Sequence, residues 1–139
     1  MTGTSMSIKM RIALIASITF TFLGCVSQGK QEKQLEILAA NRASLIQSEL
    51  PVKVSNMISI MRASAYGETI EIMMICHSSS EDLEQILMQG VQSYCSDKVT
   101  ITNLDIGLVY RIKVRNSRGK LLSDRVIDKG ICQKILRLT

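Results

Sequence analysis

The chain has no tryptophan, one histidine, one proline and two phenylalanines in 139 residues, and Phe20 and Phe22 both fall before position 25. Beyond that point the only aromatics are Tyr66, Tyr94 and Tyr110, so a core must be aliphatic, with methionine available to fill irregular gaps. A single histidine excludes a His-based zinc site, because zinc takes several well-spaced His or Cys ligands. His77 follows Cys76 directly, and neighbours in an extended run point to opposite faces. No third group stands ready to orient an imidazole, as a nucleophilic pair would need. Beyond residue 30 the glycines Gly67, Gly90, Gly107, Gly119 and Gly130 are scattered, which excludes a glycine-rich phosphate cradle. Glu81, Asp82 and Glu84 suit the positive end of a helix dipole better than a catalytic carboxylate pair. Neither an enzyme nor a metal site is expected.

What is present begins at the N-terminus. Residues 1–11 carry Lys9 and Arg11 and no acid, and Ile12 to Leu23 is nearly all apolar. A bilayer-spanning helix needs ~20 apolar residues, so this stretch reads as a cleaved export leader, residues 1–24. Its ending, Thr21-Phe22-Leu23-Gly24-Cys25, resembles the lipobox of bacterial lipoproteins, with Phe22 where Leu is usual and Leu23 where a small residue is preferred. The resemblance implies that Cys25 becomes the mature N-terminus and carries a diacylglyceryl thioether with an N-acyl group. No cofactor is expected besides that covalent lipid. Two or more acyl chains hold a protein stably to a membrane. Val26 follows, and the absence of Asp there implies sorting to the outer membrane, facing the periplasm. Loss of Lys9 and Arg11 takes 17 basic residues to 15 against 12 acidic ones, a mild net of +3 that gives no reason to expect a nucleic-acid partner.

Residues 25–30 read as a lipid-bearing polar tether, and residues 31–139 as one domain. From Gln31 to Leu50 the pattern is helical: Leu35, Leu38, Ala39, Ile46 and Leu50 line one face, with Leu45 beside it and Pro51 ending it. Val52 to Ala63 and Thr69 to Ile75 read as a hairpin about Tyr66-Gly67, the second strand central because it is apolar on both faces. Ser79 or Ser80 caps a helix running to Cys95, with Leu83, Ile86, Leu87, Val91 and Tyr94 at helical spacing. Asp97 can cap a further short helix to Asp105. Gly107 to Asn116 alternates Leu108, Tyr110, Ile112 and Val114 with Val109, Arg111, Lys113 and Arg115, and Leu121 to Ile127 returns as its hairpin partner. A tail follows, with Gly130, Cys132, Ile135 and Leu138. The expected fold is α+β: a mainly antiparallel sheet of four to five strands with helices packed on one side and one disulfide.

Three cysteines remain after Cys25, and an oxidising compartment favours one disulfide among three pairings. Cys76 closes an apolar strand and reads as a small buried hydrophobe. A Cys95–Cys132 bond would staple the tail most usefully, and it is the pairing preferred here. The row Arg111, Lys113, Arg115 could face an anionic lipid head or an acidic peptide. A solvated sheet face explains it as well, and such charges discourage edge aggregation.

Several segments together are similar to a known family. Glu49-Leu50-Pro51-Val52-Lys53 follows a first helix and Tyr94-Cys95-Ser96-Asp97 a second. Gly107-Leu108-Val109-Tyr110-Arg111-Ile112, Arg115-Asn116-Ser117-Arg118-Gly119 and a late Cys132 complete the order. This resembles the type II secretion pilotin lipoproteins of the GspS-beta (AspS-like) family over residues 30–135, with Cys76 outside the family pattern. The resemblance implies the α+β fold and a Cys95–Cys132 disulfide. It also implies an adaptor without catalysis, which binds the C-terminal segment of a secretin and promotes its targeting to, and assembly in, the outer membrane. The implied partners are that segment, outer-membrane lipid through the anchor, and the lipoprotein sorting machinery. Recognition would be helix-in-groove, between helices 31–50 and 80–95 or beside the sheet, with Leu35, Leu38, Ile46, Leu83, Leu87 and Tyr94 as candidate contacts. Two rivals stand beside this: an envelope lipoprotein that binds peptidoglycan or anionic lipid through Arg111, Lys113 and Arg115, and a periplasmic thiol enzyme using Cys76.

Overall fold

A computed structural model of the protein describes residues 25–77 and 83–137. Two compact units are distinguished, Met1–Gln31 and Glu32–Thr139; α1 begins within the first, and the sheet and packing described below belong to the second. The described elements are α1 (Cys25–Ser48), β1 (Val52–Lys53), β2 (Ile58–Tyr66), β3 (Thr69–Cys76), α2 (Leu83–Ser96), α3 (Lys98–Asp105), β4 (Val109–Asn116), β5 (Leu121–Ile127) and α4 (Lys129–Leu136).

The five strands form one sheet in chain order, β1-β2-β3-β4-β5. All pairings are antiparallel except β3 with β4, where Ile70, Ile72 and Met74 lie beside Tyr110, Ile112 and Val114. That parallel pair follows from connectivity: two helices intervene, and such a crossover returns the chain in the same direction. Alternation then sorts the faces. Ile70, Ile72, Met74 and Cys76 on β3, with Tyr110, Ile112 and Val114 on β4, are buried. They join Ala39 and Ala43 of α1, Leu83, Leu87, Val91 and Cys95 of α2, Leu104 of α3 and Cys132 of α4 in one cluster. The helices therefore cover one face. β3 is central, as its composition implied, and Gly67 takes the positive φ of 57° at the β2–β3 turn.

Several details differ from the sequence-based expectation. Residues 25–30, expected as a polar tether, are helical and form the opening turns of α1. Val26 to Lys30 contains no proline and runs directly into good helix formers, so an established helix propagates through it. At the other end α1 stops at Ser48, two residues short of Leu50. The expected strand 52–63 is broken: the Ser55 hydroxyl accepts hydrogen bonds from the N–H groups of Met57 and Ile58, each 3.1 Å, and folds β1 back beside β2. Ser55-Asn56 is turn chemistry that the apolar alternation around it obscured. The tail is a capped helix, α4, with the Asp128 carboxylate accepting from Ile131 N–H at 2.8 Å. Asp97 caps α3 in the expected way. Ser79, Ser80, Glu81, Asp82 and Leu138 lie outside the described residues.

Cys95 and Cys132 form the disulfide, tying α2 to α4. Cys76 is 2% exposed, on the core side of β3.

Candidate functional site

α1 reaches the sheet through small side chains. Ala39 and Ala43 are fully covered and Leu35 and Ile46 are partly so, which gives a stripe at positions 35, 39, 43 and 46. Ala39 and Ala43 are the central contacts of that stripe with the core. At one end Gly107 holds a φ of 105°, and a Cβ there would lie 3.3 Å from a methyl of Leu35. At the other, Gln47 Oε1 accepts a hydrogen bond of 2.9 Å from Ala63 N–H on β2. α2 presents Leu83, Leu87, Val91 and Cys95 at four-residue spacing to the same core.

Where α1 and α2 diverge over the sheet, a groove of about 310 Å³ opens. Arg42 and Ile46 form the α1 wall, Ser93 and Tyr94 the α2 wall, Asp97 and Thr100 one end, and Ile60, Ile72 and Tyr110 the floor. The Tyr94 and Tyr110 rings meet edge to face, centroids 5.6 Å apart, and the Tyr110 hydroxyl accepts a 2.7 Å hydrogen bond from Asn103 Nδ2. Burial pushes the Tyr94 phenol up to about 12, with the adjacent Tyr110 adding to the shift, so it stays protonated at neutral pH. Asp97 Oδ2 accepts from both the N–H and the hydroxyl of Thr100, each at 2.8 Å. Those bonds hold its carboxyl below the usual range, so Asp97 is a fixed anion at the rim. Arg42 is the reverse case: its Nε is buried and has no hydrogen-bond partner.

Of the six candidate contacts, Ile46 and Tyr94 line this groove. Leu35 packs partly against the core. Leu83 and Leu87, each 6% exposed, are core residues; Leu87 also borders a cavity of about 140 Å³ between α2, β5 and α4. Leu38 is 44% exposed and outside the packed stripe, because the helix turns it away from the Leu35–Ala39–Ala43 line. Arg42 was missed altogether. Its signal was available, as a lone cation between Ala39, Ala43 and Ile46 on an otherwise apolar face.

The basic row is less open than its sequence suggests. On the face of the sheet away from the described helices, Arg111 binds Asp124 through two hydrogen bonds of 2.8 and 2.7 Å, and Lys113 pairs with Glu71 at 2.7 Å. Arg115 Nη1 donates to the carbonyl of Gly119 at 2.8 Å. A concavity of about 330 Å³ on this face is lined by Tyr66, Thr69, Glu71, Arg111 and Lys113, and its acid and bases are matched to one another or to Asp124. The register thus sets carboxylates beside two of the three residues of the row, Arg111 and Lys113. His77 Nε2 lies 3.3 Å from Ser59 Oγ, while Cys76 faces the core, an environment that leaves a thiol inert. Among the described residues no group of three or more His, Cys, Asp or Glu could hold a metal ion, and no helix is long and apolar enough to cross a membrane.

The five-stranded sheet with helices on one face is a fold this chain shares with solved type II secretion pilotins. The chain belongs to the family described as type II secretion system (T2SS) pilotin, S protein, which matches residues 31–132. Among solved structures it is similar to the pilotin EpsS from the Vibrio vulnificus type 2 secretion system, with 38% identity and a TM-score of 0.70 over 76% of this chain and 97% of that one. It is likewise similar to the type II secretion pilotin AspS from Vibrio cholerae, with 39% identity and a TM-score of 0.67 over 75% and 97%. The protein PA3611 of Pseudomonas aeruginosa shares the fold at 14% identity, with a TM-score of 0.67 over 73% of this chain and 96% of that one. No curated protein sequence matches.

Proposed function

We propose that this protein binds the C-terminal segment of a type II secretin in the groove between α1 and α2 and promotes the secretin's targeting to, and assembly in, the outer membrane. The observation that carries the reading is the groove itself, in a chain of the pilotin family: two helix walls and an apolar sheet floor of Ile60, Ile72 and Tyr110. Such a trough suits an amphipathic helix laid in by its apolar face. A tail that folds as it docks loses conformational entropy, and burial against aromatic and aliphatic side chains is the term that offsets it. The chemistry required is adhesion and transport, with no bond made or broken.

Cys25 carries the lipid in this account and Val26 permits release to the outer membrane by the lipoprotein sorting machinery, so the domain faces the periplasm as a tethered, non-catalytic adaptor. The competing reading, anionic lipid or peptidoglycan on the basic strand face, is disfavoured by the Arg111–Asp124 and Lys113–Glu71 pairs. The test is fractionation of cells lacking the protein and of cells making Cys25→Ala. Secretin multimers are expected to be lost from the outer membrane in both, and Cys25→Ala is expected not to take up labelled palmitate. Normal secretin rings in the outer membrane of the deletion strain would overturn the proposal.

A further inference from the structure

Arg42 stands out within the groove for a physical reason. Its Nε is excluded from solvent and makes no hydrogen bond. A buried donor left unpaired costs stability, more so on a charged group. Asp97, whose charge acts on Arg42 through space, accepts both Thr100 donors at Oδ2 at 2.8 Å and makes no hydrogen bond to Arg42 Nε. Tyr94 and Tyr110 present phenol groups, and burial keeps that of Tyr94 protonated. The α1 wall thus holds a cation whose donor lacks an acceptor, in a trough otherwise apolar along its floor.

Resting on the reading of this groove as the secretin-binding site, we propose that Arg42 is a specificity-determining residue that receives a carboxylate of the docked segment. The occupant is an amphipathic peptide that lays apolar side chains on the partly exposed Ile46, Ile60 and Tyr94 and turns one acidic group to the α1 wall. A guanidinium offers a planar fork that matches a carboxylate, whereas a neutral carbonyl satisfies one N–H and leaves the charge unopposed. The carboxylate comes from an Asp or Glu side chain or from the chain terminus. Because Nε is closed to solvent in the empty groove, docking must turn the Arg42 guanidinium toward the peptide, and the donor unsatisfied before binding then meets the carboxylate, which trades stability of the free protein for selectivity in the complex.

The experiment titrates the purified protein with a synthetic peptide of the C-terminal segment of the same organism's secretin. Wild type, Arg42→Met and Arg42→Lys are compared by calorimetry and by thermal denaturation. Arg42→Met keeps the apolar stem and deletes the charge. It is expected to be at least as heat-stable as wild type, and to bind about 10- to 100-fold more weakly. Arg42→Lys is expected to recover part of that loss, and wild-type affinity to fall with added salt more steeply than that of Arg42→Met. Peptides with each acidic residue changed to its amide, and one with an amidated terminus, locate the carboxylate. Neutralising the correct one weakens binding to wild type and leaves binding to Arg42→Met unchanged. Equal affinity of wild type and Arg42→Met overturns the role of Arg42 while leaving the groove reading intact. Weaker binding by Arg42→Met with no effect from any neutralised peptide overturns the carboxylate. Failure of wild type to bind any of the peptides overturns both readings.

Discussion

Opening the Cys95–Cys132 bond is expected to weaken the fold by about 4 kcal/mol. The two residues are 37 apart in sequence, and closing a loop of that length in the unfolded chain removes that much conformational entropy by the chain-entropy relation. Packing adds little to the loss on reduction. Cys95 is 0% and Cys132 5% exposed, so reduction leaves two small apolar thiols in place and opens no cavity. What else holds α4 is modest: Ile135 packed partly on the core, and a Lys129–Asp105 ion pair of 2.8 Å whose side chains are about half exposed. Exposed pairs of this kind contribute roughly 0–1 kcal/mol. A domain of this size has about 5–15 kcal/mol in all, so reduction removes a large fraction of it. Urea denaturation followed by far-ultraviolet circular dichroism, with and without reductant, measures the difference. The midpoint should fall by an amount equivalent to about 2–5 kcal/mol, and the melting temperature by roughly 8–30 °C. A loss below about 1 kcal/mol would refute the loop-entropy argument. On non-reducing gels Cys76→Ser should keep the fast-migrating bridged form and Cys95→Ser should lose it.

Tyr94 gives a pH prediction. Its folded pKa is raised from 10.0 to about 12, chiefly by burial, so the protected neutral form adds stability that is complete below about pH 10 and is lost as pH rises through 12. Tyr94→Phe should flatten the alkaline limb of a stability-versus-pH curve; an unchanged limb would show that the phenol is not buried as described. Gly107→Ala should destabilise the protein by about 1–3 kcal/mol, because φ of 105° is unfavourable for an L side chain and the new methyl meets Leu35. A melting temperature equal to that of wild type would contradict that close approach.

The sheet was the most legible part of the chain. Tyr110, Ile112 and Val114 alternate with Arg111, Lys113 and Arg115, and period-two patterning on a half-covered sheet leaves little choice of face. The Asp97 cap and the Cys95–Cys132 bond were also visible, the latter because Cys76 ends an apolar strand. The break at Ser55 was hidden, since Val52, Val54, Ile58 and Ile60 keep the alternation going through a turn that a single hydroxyl fixes. α4 was hidden by brevity, although Asp128 before Ile131, Cys132 and Ile135 is a cap followed by helical spacing. The site was legible only in outline. Helical periodicity named Ile46 and Tyr94, but it also named Leu83 and Leu87, which the core absorbs, because hydrophobic spacing alone does not separate a groove lip from a core face. Charge patterning misled in the opposite sense. Arg111 and Lys113 looked available until the register set Glu71 and Asp124 beside them, while Arg42 passed unremarked on an apolar stripe.

The most direct test of the central claim is nuclear magnetic resonance mapping of the purified protein titrated with the secretin's C-terminal peptide. Saturable shifts are predicted to cluster on Arg42, Ile46, Tyr94 and Tyr110, around the groove between α1 and α2. Shifts confined to Arg111, Lys113 and Arg115 on the face away from the described helices, or no shifts at all, would contradict it.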